Sequence, residues 1–216
     1  MISVPPAKAN SINTSPRYWV IALSLLFSAL LLITLVPFIT NPLKDFNYYG
    51  RYIPHAAPDF TLKNTHQQHV SLQDYRGKFV YLMFGYIGCD ELCHSQVLTL
   101  FGLDQRLASE PVEFLYLGMD PEKDTAQTLR HYFDNRSQRF TGLIADSMPE
   151  AQRIAADYHA YFHLEPGNGD GLRRINHPGF IYLIDPEGLL QLAYSGSFLD
   201  IERMISDFNH ISTRVS

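Results

Sequence analysis

Cysteine is nearly absent from this chain, and that scarcity narrows its chemistry. The 216 residues contain two cysteines, Cys89 and Cys93, and one tryptophan, Trp19. Two thiols four positions apart cannot form the distributed framework of a disulfide-stapled fold. A basic excess is missing too, since the net charge is −5, which excludes nucleic-acid binding through a cationic surface. Internal repeats and low-complexity tracts are also absent, so solenoid and linker architectures are excluded. Charge is unevenly spread, because residues 1–39 hold Lys8 and Arg17 but no acid.

Only one long hydrophobic run is present. YWVIALSLLFSALLLITLVPF, from Tyr18 to Phe38, is free of charge. As a helix it spans roughly 30 Å, the thickness of the hydrocarbon core. Tyr18 and Trp19 stand at its first edge, where amphipathic rings favour the interface. Lys8 and Arg17 precede it, which predicts a cytoplasmic N-terminus and an exported remainder. A cleaved signal peptide shares the basic start, but the run is long for one and no A-x-A-like cleavage site follows. The expected organisation is a cytoplasmic stretch over 1–17, a transmembrane anchor over 18–39, a tether over 40–53 and a soluble domain over 54–213.

The soluble part, about 160 residues, is long enough to bury a core without staples. Phe60 and Leu62, then Val70 and Leu72, alternate with polar neighbours around KNTHQQH, which predicts a hairpin. FVYLMFGYI, EFLYLGM and FIYLID are continuous apolar runs suited to strands buried on both faces. Helical patterns at 93–108, 124–134 and 148–161 lie between them. LLQLAYS follows the turn Pro186-Glu187-Gly188 and is expected to run antiparallel to 180–185. A last helix is expected over 199–212. Alternating strands and helices imply a mostly parallel α/β sheet.

The chemistry concentrates in FGYIGCDELCHSQV. An apolar strand ends at Gly88, Cys89 follows, and a helix opens. Open α/β sheets bind ligands at the carboxyl ends of their strands. A helix N-terminus offers free N–H groups and a positive dipole, both favouring thiolate. Positions i and i+4 share a helix face, so both sulfurs can aim at one point. Two thiolates select Cu(I), zinc or an iron–sulfur centre over magnesium or calcium. The same spacing also permits a disulfide. A metal site and a redox dithiol both remain open at this level.

Nine histidines are available as a further ligand. His159 and His163 form an i, i+4 pair, but no cysteine or carboxylate completes it. His94 abuts Cys93 and points elsewhere on a helix. His177 stands just before the 180–185 strand and reaches the dithiol if that strand lies beside 79–87. Spacing alone does not choose among these. Asp120-Pro121-Glu122-Lys123-Asp124 reads as a helix start, with Asp120 at the cap and Pro121 at the first position.

FGYIGCDELC, LGMDPEKDT and NHPGFIYLIDPEG, in this order and spacing, resemble the SCO/SenC family of copper proteins. The APDFTL opening and YRGK before the first central strand fit as well. The resemblance covers about residues 54–210. It implies a thioredoxin-like α/β fold with an N-terminal β-hairpin extension, preceded by one transmembrane helix. It implies a Cu(I)/Cu(II) site whose ligands are Cys89, Cys93 and His177, with Asp120 near the site as a partner-orienting residue. It further implies delivery of copper to, or reduction of cysteines in, the dinuclear copper centre of cytochrome c oxidase. The domain would face the periplasm from the inner membrane. Where the family carries proline after each cysteine, this chain has Asp90 and His94.

Rival readings use the same cysteines. A metal-free thiol–disulfide oxidoreductase needs an exposed low-pKa thiol and a resolving partner. Such proteins normally use C-x-x-C rather than C-x-x-x-C. A peroxidase would need a threonine that FGYIGC lacks. A copper or redox sensor has no separate signature.

Overall fold

The computed structural model describes residues 16–40, 46–88, 92–133, 137–165 and 174–215. Two units are present and are taken in turn. The first contains helix α1 (Pro16–Thr40). Its window Arg17–Thr34 has mean hydropathy 1.9, long and apolar enough to cross a membrane. The side chains of Ser24, Ser28 and Thr34 bond to carbonyls three or four residues earlier, so this helix leaves those hydroxyls satisfied without water.

The second unit is an eight-stranded sheet with helices against it. Its strands, in chain order, are β1 (Arg51–Ala56), β2 (Thr61–Asn64), β3 (His69–Ser71), β4 (Phe79–Gly85), β5 (Val112–Gly118), β6 (Phe140–Ile144), β9 (Phe180–Ile184) and β10 (Leu189–Ser195). Short β7 (His163–Leu164) and β8 (Ile175–Asn176) pair with each other outside this sheet. The sheet order is β1-β10-β9-β4-β5-β6-β2-β3. β4, β5 and β6 run parallel, and the pairs on either side are antiparallel.

Every residue of β4 is buried, as a strand covered on both faces requires. Alternate side chains explain the covering. Phe79 meets Phe208 of helix α5 (Ile201–Val215), while Phe84 meets Tyr158 at the end of helix α4 (Met148–Asp157). Residues 79 and 84 point to opposite faces of a strand, so α5 and α4 sandwich the sheet. Each such fully buried ring adds about 1.5–3 kcal/mol. Helix α2 (Leu92–Arg106) lies against α5, where Arg106 forms an ion pair with Glu202. Helix α3 (Ala126–Phe133) packs Leu129 and Phe133 inward.

The predicted hairpin forms as β2–β3 and joins the sheet through β6. Three expectations need correcting. Residues 51–53, read as tether, begin β1, which pairs with β10 at the sheet edge. Its outward exposure, a bulge and Pro54 hid the alternation that marks a strand. The helix expected from Asp120 starts later, at Ala126, with Thr125 Oγ1 accepting the Thr128 N–H. His159 and His163 do not share a helix: α4 ends at Asp157, His159 has φ 58° and His163 lies in β7.

Candidate metal centre

β4 delivers the chain to Tyr86-Ile87-Gly88 at the carboxyl end of the sheet. Cys89, Asp90 and Glu91 lie outside the described residues. The chain resumes at Leu92, and Cys93 sits buried in the first turn of α2. Its Sγ is 3.3 Å from Nε2 of His177.

Sheet topology makes that contact. β9 pairs antiparallel with β4, with Met83 opposite Ile181, so the segment entering β9 arrives where β4 leaves. His177 occupies that segment, between β8 and β9. Its Nδ1 is 3.1 Å from the Pro178 carbonyl. A carbonyl only accepts, so Nδ1 donates to it and Nε2 is the ring nitrogen left to meet the sulfur. The Tyr86 ring meets the imidazole edge-on, 5.8 Å between centroids at 79°. The Tyr86 hydroxyl accepts the Ile175 N–H at 3.4 Å, which ties β8 to the same residue. The His177–Pro178 bond is trans, as are the other peptide bonds among the described residues.

The donor set fits a soft or borderline metal ion. A sulfur at about 2.3 Å and a nitrogen at about 2.0–2.1 Å from one ion lie roughly 3.5–3.6 Å apart at a tetrahedral angle. The sulfur–nitrogen contact, a hydrogen bond at 3.3 Å, lies close to that spacing. Among the described residues no three His, Cys, Asp or Glu side chains gather into a metal-binding group. The third predicted ligand, Cys89, is outside them. His94 is exposed, sets its ring against Tyr132 at 6.3 Å, and lines a small pocket with Cys93, Tyr86 and Tyr116.

Asp120 and Asp124 hold the neighbouring loop. Both are buried. The Asp124 carboxylate accepts the Ile87 N–H at 2.9 Å and the Asp120 N–H at 3.0 Å. The Met119 N–H donates to the Gly85 carbonyl. The β5–α3 turn is thereby stitched to the β4–α2 loop. Burial pushes Asp124 up to about 6, against the lowering by its backbone donors. Asp120 closes its own turn: its carbonyl accepts from Lys123 and Asp124, and Oδ1 accepts the Glu122 N–H. Sequence reasoning passed over Asp124. The signal was there, as a second acid four residues after Asp120 in a segment placed beside the strand end.

A family model described as SCO1/SenC matches residues 51–213. The chain belongs to the SCO1/SenC family. Among curated proteins, the mitochondrial SCO2 homologue of Bos taurus is 30% identical over 141 residues, covering 63% of this chain and 53% of that protein. The chain spans about half the length of the first curated relatives it matches. Yeast Sco1, solved with copper bound, superposes with a TM-score of 0.64 at 23% identity, covering 73% of this chain and 88% of that one. Apo Sco1 of Thermus thermophilus gives a TM-score of 0.67 at 25% identity, covering 78% and 99%. The thioredoxin-like α/β fold expected from the SCO/SenC resemblance is therefore present.

Proposed function

We propose that this chain is a membrane-anchored copper-binding protein that holds Cu(I) between Cys89, Cys93 and His177. The observation that carries the reading is the 3.3 Å approach of Cys93 Sγ to His177 Nε2. A buried sulfur beside an imidazole nitrogen supplies two ligands of a three-ligand soft-metal site, and Cys89 stands four residues before Cys93 to supply the third. When bound, copper brings a one-electron couple and a transferable soft cation. The chain's own part is to present two thiolates and one neutral imidazole, with Pro178 fixing the tautomer. Membership of the SCO1/SenC family and the copper-bound yeast relative support this assignment.

α1 serves as the anchor, with the cytoplasm on its N-terminal side and the domain in the periplasm. The client is the dinuclear copper centre of cytochrome c oxidase, which receives copper or has its cysteines reduced. Asp120 supports the site from the β5–α3 turn.

The test is a Cu(I) titration of the full chain in detergent after reduction, read by metal analysis and competition with a chelator. One ion per chain is expected. Cys89→Ser and Cys93→Ser each abolish tight binding. Retention of copper by either variant at the level of the parent overturns the site. If the apo protein reduces protein disulfides far faster than a free thiol and binds no copper, the metal-free oxidoreductase is the correct reading.

A further inference from the structure

The loop after β10 carries a side chain with no structural use. Phe198 is 91% exposed, more than any other large apolar side chain among the described residues. Burying one such ring is worth about 1.5–3 kcal/mol, which the folded domain forgoes. An isolated apolar side chain on a surface is ordinary. This one is not isolated.

The loop is fixed to the start of the soluble unit. The Asp200 N–H donates to the Tyr49 hydroxyl at 3.2 Å, and the Arg203 guanidinium lies over the Tyr49 ring at 4.2 Å. Tyr48 stacks on Tyr52 at 5.0 Å, and Arg214 donates to the Tyr48 hydroxyl. Tyr52 is 40% exposed on the α5 side of β1. Exposed Glu187 shares a groove with Tyr52 and Arg214, while the other acids near this face are engaged. Buried Asp207 accepts the Tyr49 and Gly50 N–H groups, Asp200 accepts the Arg203 N–H, and Glu202 pairs with Arg106. The result is a face of tyrosines, arginines and one bare phenylalanine on a domain that is acidic overall. Aromatic rings with arginines are the composition that settles at a membrane interface.

Chain length says what this face meets. Helix α1 ends at Thr40 and the soluble unit begins at Tyr48. From Thr40 to Tyr49 the chain spans at most about 32 Å when fully extended. Tyr48 and Tyr49 are therefore held within that distance of the end of α1.

We propose that the face formed by Phe198, Tyr52, Arg203 and Arg214 docks on the phospholipid bilayer that holds α1. This rests on the anchor reading above. Phe198 enters the boundary between headgroups and acyl chains, and the arginines face lipid phosphates. The docking has a functional consequence. The Gln96 side-chain amide donates to the Gly196 carbonyl at 3.0 Å, tying the loop to α2 one turn beyond Cys93. Ser195, where the loop begins, pairs with Phe180, three residues past His177. Seating the loop on lipid thus sets the height and tilt of the Cys93–His177 edge. The acceptor it suits is one whose metal-receiving site stands close to the membrane surface.

The experiment uses the full chain in vesicles of equal parts phosphatidylglycerol and phosphatidylethanolamine, with and without brominated acyl chains. Trp19 is the only native tryptophan and reports insertion of α1. A Trp19→Phe/Phe198→Trp variant reports the loop. A Trp19→Phe/Leu98→Trp variant is the control, because Leu98 is exposed on α2 and lies about 200° around the helix from Gln96. Circular dichroism confirms that each variant is folded. Bromolipid is expected to at least halve the emission of Phe198→Trp and to leave Leu98→Trp unchanged, and adding Arg203→Glu weakens the effect. If Trp19 is quenched in the parent while Phe198→Trp behaves like the control, the anchor stands and the docking is overturned. If the Phe198→Trp emission responds instead to an added soluble protein, the face binds protein and the docking is likewise overturned. If Trp19 itself escapes quenching, the anchor reading falls and takes the docking with it.

Discussion

Asp124 accepts the backbone N–H of Ile87 at 2.9 Å, and Ile87 stands two residues before Cys89. A carboxylate on the β5–α3 turn thus holds the strand end from which the thiol segment departs. It does so from a buried position, so its ionisation and the shape of that loop are linked.

That link has a sign. Burial raises Asp124 from 3.8 to about 6, so the folded state prefers its neutral form. Its contribution to stability is fully present below pH 3.8 and is lost as pH rises through 6. The difference is about 3 kcal/mol at 1.36 kcal/mol per pKa unit. Asp124→Asn is expected to flatten that part of the profile. Denaturant unfolding of both proteins between pH 4 and 7 measures it, and parallel profiles would refute the linkage.

Gly118 is the reason Asp124 can come so close. A Cβ on Gly118 would stand 2.7 Å from Asp124 Cβ, so Gly118→Ala must displace the aspartate. Overpacking of this kind costs about 1–3 kcal/mol. The expected outcome is a lowered unfolding midpoint together with faster hydrogen exchange at the Ile87 amide. A stable variant with the Ile87 amide still protected would show that the loop does not depend on Asp124.

His177→Ala removes a direct donor from the proposed copper site but leaves both thiols. Loss of an outer-shell partner typically lowers metal affinity about 10–100-fold, and loss of a direct ligand should exceed that. Oxidation of the Cys89–Cys93 pair is expected to proceed as before. Chelator competition and thiol counting read the two effects separately. A larger affinity loss from His94→Ala than from His177→Ala would move the third ligand to His94.

Asp207 makes a different kind of join, between the start of the soluble unit and its last helix. Its two oxygens accept the N–H groups of Tyr49 and Gly50, at 3.0 and 2.9 Å. Asp207→Ala leaves both donors without an acceptor, at about 1–3 kcal/mol each if they stay buried. The expected result is local release: exchange at Tyr49 and Gly50 rises at least about tenfold, since 1.4 kcal/mol is a factor of ten. Exchange in β4 and β5 should change far less. Uniform loss of protection across the sheet would mean that Asp207 supports the whole fold.

Reading the chain unaided gave the elements whose environment is uniform. β4 and β9 are apolar throughout and β5 is so after Glu113, because these strands are covered on both faces, and the runs stand out. α1 stands out because its run from Tyr18 to Phe38 carries no charge. The thiol pair at a strand end was legible because its spacing is local. β1 was not, because an exposed edge strand with a proline has no alternation to display. β6, FTGLI, carries a glycine at residue 142 where Thr65 and Leu129 crowd in, and so lacks the branched run of its neighbours. Asp124 was overlooked because a carboxylate that holds backbone amides looks in sequence like any solvated acid.

By itself the sequence determined the anchor-like helix, the alternation of strands and helices, and a pair of cysteines able to share a ligand. Each depends on residues within a few positions of one another, where covalent geometry fixes the distance. The family resemblance pointed to His177, but only tertiary structure decided that its imidazole meets Cys93. That choice depends on β9 running antiparallel beside β4, and strand pairing is set by burial of both strands in one core rather than by any local pattern around the histidine.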